Sequence, residues 1–407
     1  MKSNFAYLAG FALILIILSG CATYQAQKVG ATPILQAREE IAEDQLLDVG
    51  ITVFKSEELS PEKAEQEGTS NEIRKAEGNF IPDHLKNTLQ RTSHWGAVRV
   101  VPGSDNSVDL LVKGEILESN GEYLGLKIEV TDATGRIWVA KNYRAEATET
   151  SYTDNRPGQK DAFQDLYNTI ANDMLQFKQK LHPKNIRKIR TTAKLKFARE
   201  FAPDAFSGYL AKGENNTVEI KRLPADDDPM MQRLLKIRER EYMYVDTLNE
   251  RYDEFYRQMW PSYENWRQLN LTERMALQKI KREALTKQLL GALMMVAGVM
   301  GSVSNSNFGA IGAGMIILGG QVIISGFNVS KEAQLNEAAI GELSESFAGE
   351  MKPVVMELEG KQYELTGSAE EQFKQWRALL RKIYFAETGF EPDPALQNGE
   401  AEYDEEP

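Results

Sequence analysis

The stretch Tyr123-Leu124-Gly125-Leu126-Lys127-Ile128-Glu129-Val130-Thr131 decides how the first half of this chain folds. Leu124, Leu126, Ile128 and Val130 alternate with Gly125, Lys127 and Glu129, the period of two that puts one face of a strand in a core and the other in water. Upstream, Val108 to Glu118 has the same texture, and the intervening Ser119-Asn120-Gly121 is turn chemistry, so the two arms read as a hairpin. Downstream, Asp132-Ala133-Thr134-Gly135 is a second turn and Ile137 to Arg144 a further strand. Val49-Gly50-Ile51-Thr52-Val53-Phe54 and Val98-Arg99-Val100-Val101 are two more β-rich runs, the second stopped by Pro102-Gly103. Between them, Ser56 to Glu77 reads as a charged loop or weak helix. Pro82 then opens a helix through Leu89, placed at the first turn where a missing N–H costs nothing. Phe163, Leu166, Ile170, Met174 and Phe177 form the apolar stripe of a closing helix from about Asp161 to Lys180. The predicted class is α+β: a two-layer β-α-β-β-β-α domain over residues 46–180, with helices on one side of the sheet.

Three segments carry a resemblance: Val98 to Pro102, Val108 to Ile116 with its Gly114-Glu115-Ile116, and Asp132-Ala133-Thr134-Gly135-Arg136-Ile137-Trp138. Together they are similar to a periplasmic domain shared by the curli-secretion lipoprotein, lipoprotein activators of cell-wall synthases and the amino-terminal part of the Tol translocation propeller protein. The likeness implies a binding or assembly module and transfers no catalytic residue. Asp132 and Gly135 also suit a tight turn with no functional role at all.

The start of the chain points the same way. Lys2, the apolar run Phe5 to Leu18 and then Leu18-Ser19-Gly20-Cys21 read as a secretory signal over residues 1–20, too short for a spanning helix. Cysteine after Leu18, Ser19 and Gly20 resembles the lipobox of bacterial lipoproteins. That resemblance implies cleavage before Cys21, diacylglycerol on its thiol and an acyl chain such as palmitate on the new amino terminus. Cys21 is the chain's one cysteine, so no disulfide competes for it. Ala22 follows it, where many inner-membrane lipoproteins have Asp, which implies a lipid-anchored protein on the periplasmic face of the outer membrane. Residues 21–45 read as the lipidated tether.

Residues 181–287 read as mostly helical. Lys184, Arg187, Lys188, Arg190, Lys194, Lys196 and Arg199, interleaved with Ile186, Ile189, Leu195 and Phe197, predict a helix with a basic face, solvated or paired with acidic helices. Met230 to Met259 predicts a long charged helix, and the aromatics around Pro261 predict packing at a helix–helix corner. No charge occurs between Lys287 and Lys331, and residues 288–330 read as a hydrophobic Gly-rich hairpin split at Ser304-Asn305-Ser306-Asn307. Its arms, Leu289 to Val303 and Phe308 to Val329, would measure about 22 and 33 Å as helices, against about 30 Å of bilayer hydrocarbon. Gly291 and Gly298 in one arm, and Gly312, Gly319 and Gly326 in the other, recur every seven residues and give each arm a face for close helix packing. Burial in protein, contact between copies and insertion in a bilayer all accommodate that pattern; its length and its lysine flanks favour insertion. Residues 331–390 predict a helical region with a short hairpin, Val354 to Leu358 and Gln362 to Leu365. A last helix, Ala369 to Ala386, is capped by Ser368 and precedes an acidic tail, 391–407.

Catalytic chemistry is not legible. The sequence has no zinc-protease, nucleophile-elbow, phosphate-loop or dinucleotide motif. His84, His94 and His182 are spread out and read as surface or helix-end residues, and Asp226-Asp227-Asp228 as a solvated loop. A net charge of −12 argues against nucleic acid. The expected protein is therefore a non-enzymatic envelope factor without metal or cofactor, acting in assembly, export or maintenance. Its expected partners are membrane lipid, envelope proteins and further copies of itself. A pore or export-channel subunit and a regulator of cell-wall synthesis are the alternatives.

Overall fold

The computed structural model describes residues 27–28, 32–103, 108–152, 161–301, 331–348, 353–358 and 360–389. The signal, Cys21, Gly312, Gly319, Gly326 and the acidic tail fall outside them. The fold is mixed α and β. Its sheet elements are β1 (Gln27–Lys28), β2 (Val49–Thr52), β3 (Lys55–Ser56), β4 (Val98–Val101), β5 (Leu110–Ser119), β6 (Tyr123–Asp132) and β7 (Ile137–Glu146). They lie in the order β1-β7-β6-β5-β2-β4, with β3 also on β5. The β5–β6–β7 meander is antiparallel as the alternation predicts, whereas β2 runs parallel to both β4 and β5. Four strands rather than three follow the first long helix, because the short β4 and the meander are separate elements.

Helix α1 (Pro61–Glu67) and the start of helix α2 (Asn71–Arg91) fill the stretch read as a charged loop or weak helix. Helix α2 starts at the Ser70 cap, not at Pro82, which sits in its interior. Interior proline removes the N–H that would bond Gly78. Here the Gly78 carbonyl takes the Phe54 N–H instead, at 2.9 Å. A Cβ at Gly78 would stand 2.9 Å from the Phe54 carbonyl oxygen, so glycine permits the close approach that makes the proline tolerable. Helix α3 (Gln164–Gln179) completes the layer, with Leu166, Ile170 and Met174 buried as the stripe predicts.

Helices do not keep to one side. Helix α4 (Pro183–Phe201), α5 (Pro203–Phe206), the hairpin β8 (Leu210–Lys212) and β9 (Val218–Ile220), and α6 (Pro229–Gly301) follow. Next come α7 (Lys331–Ala348), the hairpin β10 (Val354–Leu358) and β11 (Lys361–Leu365), and α8 (Ala369–Thr388), which Ser368 and Glu371 start with a capping box. One core joins the inner sheet face (Leu126, Ile128, Val130) to α2, α3 and the middle of α6. A second joins Val100, Val101, Val108 and Leu111 to α4, the first turns of α6 and α8. The sheet is covered on both faces at its β4 end, correcting the expected one-sided arrangement. Helix α4 serves both cores, Ile186 and Ile189 in the first, Leu195 and Phe197 in the second.

The corner expected at Pro261 does not exist: α6 runs 73 residues without a break, about 110 Å of helix. An interior proline costs about 3 kcal/mol. Tyr252, Phe255, Met259, Tyr263 and Trp266, buried on one face around it, outweigh that cost. Helix α7 returns along α6. Its Phe347 packs on Tyr252 and Phe255, and its Gly341 lies against Glu72, at the end of α2 nearest Asn270, so the two helices run antiparallel.

Candidate functional site at the exit of the long helix

Helix α6 crosses the α/β body through a buried polar junction. Arg267 and Asp161, 1% and 0% exposed at their side chains, pair at 2.8 Å. Burial pushes the Asp161 carboxyl up, but Arg267 overcomes it and holds the group below its ordinary range; burial would lower Arg267, but Asp161 raises it well above. One turn away, Glu77 Oε1 accepts from the Tyr263 hydroxyl at 2.7 Å and from Ser119, while Oε2 has no partner among the described residues. Burial raises the Glu77 pKa, against the pull of Arg74. The β5–β6 turn meets the helix backbone to backbone: Gly121 has φ +79°, and a Cβ there would run into the Arg267 carbonyl. The Tyr152 hydroxyl donates to the Gly121 carbonyl at 2.5 Å.

His84 belongs to this junction, correcting its reading as a surface residue. It is buried, its Nδ1 2.7 Å from the Tyr256 hydroxyl and its Nε2 2.9 Å from Gln164 Oε1. The Gln164 amide nitrogen donates to Thr88 and Asn168, which leaves its oxygen as acceptor and puts the imidazole proton on Nε2. Burial lowers the His84 pKa, so the ring is neutral. Its signal was faint in sequence, a histidine on the apolar face of a helix whose start was misplaced. His182 caps α4, as a helix-end residue should, and His94 is half-buried.

Past the junction α6 leaves the body. Asn270 donates to the Gly68 carbonyl, and Arg274 reaches the Glu67 carbonyl and Glu122 Oε2, both at 3.0 Å. Gln278 bonds the other Glu122 oxygen at 3.0 Å. A groove of about 910 Å³ opens beside these contacts. Charged residues of both signs line it, Glu146, Glu149 and Glu283 with Lys279 and Arg282, and Leu271 and Met275 contribute apolar surface. The uncharged run begins at Lys287, about 6 Å further along the helix.

The amino-terminal segment arrives at the same end. β1 pairs parallel with β7, Gln27 opposite Ala145 and Lys28 opposite Glu146. The supposed tether does not swing free to residue 45. The Thr32 N–H bonds Asp165 at 3.0 Å, Leu35 N–H bonds Asn172 at 3.0 Å, and Asp44 pairs with Arg187 at 2.9 Å. That last pair, with Arg190 on the Glu43 carbonyl, takes up part of the basic face of α4.

Of the predicted packing glycines, Gly291 and Gly298 lie on the helical backbone of α6. The second arm and its glycines, like Leu18, Ser19, Gly20 and Cys21, lie outside the described residues. No helix among the described residues is long and apolar enough to cross a membrane. Nor do they contain a cluster of three metal-ligating side chains. Asp228 of the acidic triplet caps α6, accepting from Met230 and Met231 N–H at 2.9 and 3.1 Å. Asp132 and Trp138 of the motif turn are structural: Trp138 Nε1 donates to Asp132 at 2.8 Å, and its ring stacks on Phe177. No family model, curated protein or solved structure matches this chain.

Proposed function

We propose that this chain is a bacterial outer-membrane lipoprotein. It is anchored through acylated Cys21, faces the periplasm and acts without catalysis in assembly, export or maintenance of the envelope through protein–protein contacts. In this reading the α/β domain is the binding module, the helices around it are its frame, and residues 288–330 form the Gly-rich hairpin. One observation supports it above the rest: the two lipid-directed parts of the sequence are attached to one end of the fold. Cys21 lies six residues before Gln27, which pairs with β7 opposite Ala145, so the anchor stands within about 20 Å of Gln27. The uncharged run begins, still within α6, about one turn past the groove that Glu146 borders. An anchor and an apolar segment on one end hold the body close to the lipid and leave the sheet and α8 facing outward.

Mass spectrometry of the protein from native envelopes tests this: a triacylated mature chain beginning at Cys21 is expected, and a bare thiol or an attached leader removes the reading. Cys21→Ala should move the protein out of the outer-membrane fraction. A second reading, a subunit of a membrane pore, is favoured by the antiparallel course of α6 and α7, which brings both ends of the uncharged run to one side of the body. Deleting residues 289–329 and sizing the detergent-extracted protein separates the two. A ring of copies lost on deletion speaks for the pore, and an unchanged monomer for the single-copy factor.

A further inference from the structure

We infer that residues 22–26 continue β1 along the edge of β7, so that the chain next to Cys21 is a strand of the sheet and not a leash. The inference rests on the anchored reading above for the lipid on Cys21; the strand itself follows from the sheet. β1 is the outermost strand on its side and runs parallel to β7, with Gln27 opposite Ala145 and Lys28 opposite Glu146. A parallel neighbour fixes the direction from which the chain arrives, so residue 26 comes in beside Arg144, from the side of Ile137. From Ile137 to Asn142 no other described strand lies on that edge, and Ile137 is 55% exposed. An open edge of that length is a template for further pairing. Ala22-Thr23-Tyr24-Gln25-Ala26 has the composition to fill it, with no charge, no Gly and no Pro, and with Thr and Tyr at its centre. Carried on in the β1 register (27 with 145, so 24 with 142), Tyr24 lies opposite Asn142, Ala22 opposite Ala140 and Cys21 opposite Val139. Lys141 and Tyr143 both reach Asp173 of α3 and mark the inner face of β7, so Tyr24 falls with exposed Asn142 on the outer one. Downstream of β1 the chain is pinned as well, Thr32 to Asp165 and Leu35 to Asn172. With residues 22–26 on β7, no free length separates lipid from body. The acyl group then sits beside Val139, about 20 Å from Ala145, the full span the anchored reading allows, and holds the flank of the sheet to the membrane.

The test uses full-length protein in native envelopes, where Cys21 is the one native cysteine. Mild oxidation of Tyr24→Cys with Asn142→Cys should close a disulfide within one chain, since facing Cα atoms of parallel strands are about 5 Å apart. Tyr24→Cys with Ala140→Cys, displaced by two residues to about 8 Å, should close about tenfold more slowly. Equal rates, no closure, or a product that links two chains overturns the inference. Hydrogen exchange gives a second measure that needs no new cysteine. Thr23→Pro with Tyr24→Pro removes two successive N–H groups, one of which faces β7. Exchange over Ile137 to Asn142 should then rise about tenfold while β5 keeps its rates; no rise overturns the strand. A thiol count before oxidation keeps the two proposals apart. Three reactive thiols with fast closure support the strand and remove the anchor, and two thiols without closure remove the strand alone.

Discussion

The two halves of α6 share one backbone and almost nothing else. Between Asn249 and Asn270 one face of the helix is buried against the body. Asn249, Tyr252, Phe255, Met259, Tyr263, Trp266, Arg267 and Asn270 are all buried, and the polar members of that row each meet a specific partner on the body. From Thr272 to Glu283 the same helix is largely exposed, with Met275 and Ile280 open to solvent and Arg274 and Gln278 as its side-chain ties to the body. Apolar burial alone would let such a long helix slide by a turn, since aromatic residues recur along it. Buried hydrogen bonds and a buried ion pair do not tolerate that shift, because each mispaired group would lose its partner in a medium that cannot solvate it. The docked half thus sets register, and the free half carries whatever the end of the molecule does.

The sharpest way to break this contrast is at the ion pair. Asp161→Ala should cost about 3–5 kcal/mol in urea unfolding by leaving Arg267 charged and unpaired, while Asp161→Leu with Arg267→Met should recover most of the loss. If the single and double variants are equally destabilised, the pair does not act as argued. Next comes Asp109, buried where β5 meets α4 and α6. Burial pushes its pKa up to about 6 from an ordinary 3.8, against the Asp48 N–H and Arg238. Since the folded value is the higher one, its stabilising contribution is present below about pH 4 and lost as pH rises through about 6, a change of about 3 kcal/mol. Asp109→Asn should flatten that part of the stability–pH curve, and an unaltered slope would refute it.

A smaller effect is expected at Asn249, which bonds both the N–H and the C=O of Val100 at 2.8 and 2.9 Å on the outer edge of β4. Asn249→Ala should lose about 2 kcal/mol, and by opening a strand edge it should raise light scattering on concentration. Smallest is Ile280→Ser on the free half, where the side chain is 60% exposed; its unfolding free energy should stay within about 0.5 kcal/mol of the parent. A large loss there would mean that the exit of α6 is packed after all.

The sheet was legible because alternation is local. Leu124, Leu126, Ile128 and Val130 announce a half-buried strand whatever lies elsewhere, and Ser368 with Glu371 announces the start of α8 within four residues. Proline misled twice. Pro82 and Pro261 are strong local stops, yet the Phe54 N–H relieves one and a wall of buried aromatics outweighs the other. His84 read as a surface or helix-end residue, and Arg267 drew no reading at all, because their partners, Tyr256 and Gln164 for one and Asp161 for the other, are far along the chain.

By itself, then, the order of residues determined the strands, the amphipathic helices, the lone cysteine behind its small-residue motif and the long interval without charge, since each is written in neighbours a few positions apart. Only the tertiary structure decided that one helix crosses the whole body, that charges lie beneath it, and that the chain near Cys21 and the start of the uncharged run share an end. Those are contacts between distant segments. Their free energy depends on which groups lose water together, and no local pattern records that.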